Sequence, residues 1–74
     1  MATSKPKTTT EDVLAALRRV HTETGQRTLR VHVRAPHLCV VDGATALAER
    51  LTFPGTVAWL DGFRAAWLRR EARA

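Results

Sequence analysis

The chain has 74 residues, 45% of them apolar, which is enough for one domain with a small core and too apolar for a disordered tail. Twelve Lys and Arg against seven Asp and Glu leave a net charge of +5 and a sequence pI of about 11.1, a balance that suits polyanions or acidic protein faces as partners. A single cysteine excludes an internal disulfide framework and points to a reducing cytoplasm, and no run approaches the ~20 apolar residues of a membrane span.

Residues 1–9, MATSKPKTT, carry no apolar periodicity and no apolar segment of the secretory kind. They read as a flexible basic arm whose Lys5 and Lys7 could reach a phosphate backbone, followed by a single small α+β domain over 10–74. The first helix is expected to start near Thr9 or Thr10, because Thr8 with Glu11 and Thr9 with Asp12 both have the capping-box spacing. Val13, Ala16, Leu17 and Val20 recur at three- and four-residue steps, with Leu14 at the edge of that stripe and Arg18 and Arg19 on the other side. His21 borders the stripe and is expected to pack there, and Gly25 is a natural stop.

Gln26 to Phe53 then reads as a three-stranded antiparallel meander. Thr28 to Arg34 alternates apolar and polar, the mark of a half-buried strand. Ala35-Pro36 breaks it and predicts a turn that sets Val33 against Leu38, His32 against Cys39 and Val31 against Val40. Asp42-Gly43 is the strongest hairpin signal and predicts Val40 opposite Thr45 and Leu38 opposite Leu47. Both turns agree on one apolar face of Leu29, Val31, Val33, Leu38, Val40, Leu47, Leu51 and Phe53. The opposite face carries Arg30, His32, Arg34, His37, Cys39, Val41 and Arg50.

The third strand competes with a helix. Residues 44–51, ATALAERL, favour helix by intrinsic propensity. Leu47-Ala48-Glu49-Arg50-Leu51 followed by Thr56-Val57 resembles the helix-turn-helix of small DNA-binding repressors, with a gap one residue shorter than in that family and Pro54-Gly55 in its turn. The Asp-Gly register favours the strand. A last helix is expected over about 56–72, with Thr56 as its cap and Pro54 before it. Trp59, Phe63 and Trp67 recur every four residues and are assigned to the core with Leu60 and Ala66. Gly62 predicts a kink or a close approach to the sheet, and Arg64, Arg69, Arg70 and Arg73 crowd the outer side and the end.

The expected fold is therefore helix–three-stranded meander–helix, with both helices on one face of the sheet. No catalytic motif is present, and the chain is not expected to be an enzyme. Ser4 is the only serine, Asp42, Glu49 and Asp61 do not pair, and no phosphate loop occurs. His32, His37 and Cys39 share a face, but their spacing fits no standard zinc motif, so no metal and no cofactor are assigned. No small-molecule substrate or membrane partner is implied.

The uncovered face carries the functional expectation. Arg30, Arg34 and Arg50 with His32 and His37, helped by Arg69 and Arg70, form a basic grid suited to nucleic acid, duplex DNA above all. In outline the arrangement resembles three-stranded-sheet DNA binders such as the integrase arm domains. Its element order also resembles the double-stranded RNA-binding domain, without that family's basic motif at the start of the final helix, which here reads TVAWLDGF. The alternative is a protein–protein interaction module or inhibitor that binds an acidic partner, or a second copy, through Cys39, Val41, Ala44, Ala46 and Ala48. That build is similar to small basic proteins of phages and plasmids, including inhibitors of host defence.

Overall fold

The computed structural model describes residues 8–73 in the order α1 (Thr10–Thr24), β1 (Leu29–Arg34), β2 (His37–Asp42), β3 (Thr45–Leu51) and α2 (Phe53–Arg73). This is the expected helix–meander–helix architecture, with the strands side by side in the order β1-β2-β3. Residues 1–7 of the expected basic arm, with Lys5 and Lys7, lie outside the described residues, and Thr9, assigned to that arm, is the N-cap of α1.

Local chemistry explains α1. The Thr9 side chain accepts from the Asp12 amide while the Asp12 carboxylate accepts from the Thr9 amide at 2.8 Å, a complete capping box. Gly25 ends the helix at φ 75, donating its amide to the His21 carbonyl, a conformation that costs glycine little. The expectation for His21 is refined: its Nε2–H donates to the Leu29 carbonyl at 2.8 Å and ties the end of α1 to the start of β1.

The first hairpin has the expected register, from Arg34 opposite His37 to Leu29 opposite Asp42. The second does not. Asp42 pairs with Thr45, so Gly43 and Ala44 form the turn, and Gly43 takes the positive φ of 62 that its first central position requires. Beyond it, Val41 pairs with Ala46, Val40 with Ala48 and Leu38 with Leu51, with register shifts on either side of Val40. Each shift is a bulge. Leu47 is the extra residue of the first, and Glu49 and Arg50 stand two against one opposite Cys39 in the second, with Arg50 at φ 56. Because strand side chains alternate, the first bulge turns Ala48 toward the core in place of Leu47, and the second returns Leu51 to it. The expected pairs Val40–Thr45 and Leu38–Leu47 are thus corrected. Leu47 is 43% exposed, and Ala48 leaves the outer face for the edge of the core.

Residues 45–51 are strand rather than helix, so the repressor-like helix-turn-helix is absent. Tertiary pairing with β2 outweighs helix propensity here.

The core joins Val13, Ala16 and Val20 of α1, Leu29 of β1, Leu38 and Val40 of β2 and Leu60 of α2, all essentially closed to solvent. Burying each of the larger side chains contributes roughly 1.5–3 kcal/mol. The helices pack on each other, α1 touching β1 and α2 touching β2. Arg19 pairs with Asp61 at 3.4 Å and Glu23 with Arg64 at 2.7 Å, so α1 and α2 run parallel. Val33, assigned to the apolar face, is 55% exposed near the end of edge strand β1.

Helix α2 begins three residues earlier than expected, and Thr52 replaces Thr56 as its cap. The Thr52 hydroxyl accepts from the Gly55 amide at 3.0 Å, and its carbonyl accepts from the Thr56 amide at 2.8 Å and the Thr56 hydroxyl at 2.7 Å. That second bond lets the Thr56 hydroxyl be fully buried. Trp59, Phe63 and Trp67 stack, with ring centroids 5.6 and 6.1 Å apart, but all three are half-buried rather than core. Trp59 and Phe63 lean on the core, whereas Ala66, also assigned to it, is exposed. Gly62 approaches nothing: a Cβ there would meet no atom within 4 Å. No described helix is long and apolar enough to cross a membrane.

Candidate nucleic-acid interface

The helices cover one face of the sheet and leave the other open. On the open face lies a shallow concavity of about 540 Å³. Its walls include His32 of β1, Arg34 and His37 at the mouth of the first hairpin, and Glu49 and Arg50 from the β3 bulge. Its floor is small and apolar, with Cys39, Val41, Ala44 and Ala46. Val41 is only 9% exposed although no helix covers it, and the Cys39 thiol is free and half-buried.

Each position follows from local structure. Alternation along β1 and β2 puts His32 opposite Cys39 and Arg34 opposite His37 on the same face. The β3 bulge brings both Glu49 and Arg50 to the concavity, which a regular strand would not do. Arg34, His37, Glu49 and Arg50 are all exposed.

Most of the expected site residues are therefore brought together: His32, Arg34, His37 and Arg50, with the apolar positions Cys39, Val41, Ala44 and Ala46. Arg30, opposite Val41, is exposed on the same strand but stands outside the concavity. Ala48 is not on this face, for the reason given above. Arg69 and Arg70 are exposed on α2, past the Glu23–Arg64 pair and off the sheet. Glu49 is the residue that sequence reasoning missed. Its only signal is the bulge, which depends on how β3 meets β2. The acidic side chain places a negative charge beside Arg50 on an otherwise basic rim.

Two of the helix arginines are neutralised by carboxylates. Arg19 and Arg64 on the helices are in ion pairs, and Arg64 is the less exposed of the two. Among the described residues, Arg30, Arg34 and Arg50 make no ion pair, and neither do Arg18, Arg69 and Arg70 on the helices. No group of three His, Cys, Asp or Glu side chains among the described residues comes together closely enough to hold a metal ion. Comparison with known proteins adds no constraint: no protein-family model, curated protein or solved structure matches the chain.

Proposed function

We propose that this protein binds nucleic acid, duplex DNA in particular, through the open face of its sheet. Arg34 and Arg50, on the rim, and Arg30 beside it meet phosphates, with His32 and His37 between them. The observation that carries the reading is the open-face concavity, which gathers His32, Arg34, His37 and Arg50 with no ion pair among the described residues tying Arg34 or Arg50 to a carboxylate. Neighbouring strands about 4.8 Å apart, with same-face residues about 7 Å apart along each strand, give a cationic grid on the scale of a phosphate backbone. A groove-facing sheet of this width fits the major groove, which admits a β-ribbon. Arg69 and Arg70 extend the positive surface beyond the sheet.

Titration of a labelled short duplex at about 50 and 200 mM salt tests the reading, since each phosphate neutralised adds about 0.9 to the slope of log affinity against log salt. Three to four contacts are expected, and no binding at the lower salt would remove the proposal. The apolar floor favours a second reading, in which a protein surface or a second copy docks there. Val41→Arg would then abolish a partner complex or a dimer seen by sedimentation, while leaving phosphate contacts at the rim in place.

A further inference from the structure

The free edge of β1 is a surface with chemistry of its own. The order β1-β2-β3 leaves two edge strands, and they are not equivalent. Two bulges interrupt β3, a device that blunts an edge. Strand β1 pairs with β2 over all six residues without a break and contains neither proline nor glycine.

The two-residue connection between Arg34 and His37 sets which main-chain groups remain open. The pair that flanks such a connection exchanges hydrogen bonds, and the bonded pairs then alternate. Arg34, His32 and Arg30 thus face β2, and Leu29, Val31 and Val33 turn their amides and carbonyls to the open side. The His21 bond agrees with this, because the Leu29 carbonyl accepts from outside the ladder. His21 occupies that end of the edge. The main chain of Val31 and Val33 is left unpaired among the described residues.

The side chains select the occupant. A second copy is a poor one: in antiparallel pairing centred on His32, Arg30 of each copy would stand opposite Arg34 of the other. Registers one pair away set Arg against His. Like charges directly opposite are destabilising. Charge complementarity favours the reverse. Arg30, His32 and Arg34 are exposed in a row on one side of the strand, and Val33 is 55% exposed on the other.

We propose that the β1 edge takes up an extended acidic segment of a partner protein as a fourth strand. An acidic side chain would lie beside His32, between Arg30 and Arg34, and apolar side chains at alternate positions would cover Val33. Main-chain bonds to Val31 and Val33 hold the strand, and the arginines choose its charge. This goes beyond the nucleic-acid reading, since it adds the main chain of the β1 edge to the arginines of the open face.

The test is amide hydrogen exchange on the isotope-labelled full chain. The probes are a short blocked peptide of alternating glutamate and valine, its glutamine analogue, and a short duplex. The acidic peptide is expected to protect the Val31 and Val33 amides, and the glutamine analogue to bind about tenfold more weakly or worse. Val33→Pro removes an open amide without taking a bond from the β1–β2 ladder, and should abolish peptide binding. If that variant does not fold, exchange in the unmodified chain decides alone. Unchanged exchange at saturating peptide, equal binding of the glutamine analogue, or the same protection from the duplex would overturn the proposal. Failure of the duplex to bind at all bears only on the nucleic-acid reading.

Discussion

Arg50 is where backbone geometry and charge meet. It holds φ 56 in a strand bulge, a conformation that costs an ordinary L-residue roughly 1–2 kcal/mol. Glycine adopts it freely but loses more chain entropy on folding, about 0.5–1 kcal/mol. Arg50→Gly is therefore expected to leave stability unchanged or raise it by up to about 1.5 kcal/mol in urea unfolding. The same substitution removes a rim charge and should weaken duplex binding. Loss of stability by more than about 1 kcal/mol would mean that the Arg50 side chain supports the fold beyond its backbone. The bulge also explains Glu49: two residues facing one partner turn outward together, so the charge pattern of the rim depends on a single irregular step in β3.

At the scale of elements, α2 holds two glycines with opposite meanings. Gly62 is exposed in the helix interior with open space around it, so it costs stability and returns no packing. Gly62→Ala should raise stability by about 1 kcal/mol. Gly55 sits in the first turn, where a Cβ would come within 2.8 Å of the Thr52 hydroxyl oxygen that caps the helix. Gly55→Ala gains a similar propensity but displaces the cap, which is worth about 0.5–2 kcal/mol, and should bring no gain or a net loss. Thermal unfolding of the pair separates the two effects, and equal gains from both would show that Thr52 does not cap α2. The same helix runs on past its last ion pair to α1. Nine residues beyond Arg64, at about 1.5 Å each, carry Leu68, Arg69 and Arg70 away from the core. That overrun is why Trp67, unlike Trp59 and Phe63, does not pack against the core although its spacing matches theirs.

For the whole molecule, ion pairing divides the arginines into neutralised and free. The net +5 is spread along the sequence, and the α1–α2 ion pairs neutralise Arg19 and Arg64 while Arg18, Arg69 and Arg70 on the helices and Arg30, Arg34 and Arg50 on the sheet make no ion pair among the described residues. Extending the duplex titration to variants tests that division. Arg34→Gln should weaken binding and lower the salt slope by about 0.9, whereas Arg19→Gln, already paired with Asp61, should change the slope little. Equal losses from both would mean that net charge, rather than the open face, drives the binding.

Much of this was legible in the residues alone, wherever the signal is local. Thr9 with Asp12 and Gly25 set the limits of α1, the alternation of Thr28 to Arg34 marks β1, and Ala35-Pro36 fixes the first register, because each acts within a few residues of itself. The basic composition of the open face followed from that register. Tertiary structure alone decided the rest. The turn at Gly43-Ala44, the two bulges, the exchange of Leu47 for Ala48 and the arrival of Glu49 on the rim depend on how β3 fits beside β2. The neutralisation of Arg19 and Arg64 depends on carboxylates some forty residues away. Period-2 and period-3.6 patterns specify which face of an element is apolar, but not which partner meets it, and both the bulges and the ion pairs belong to that meeting.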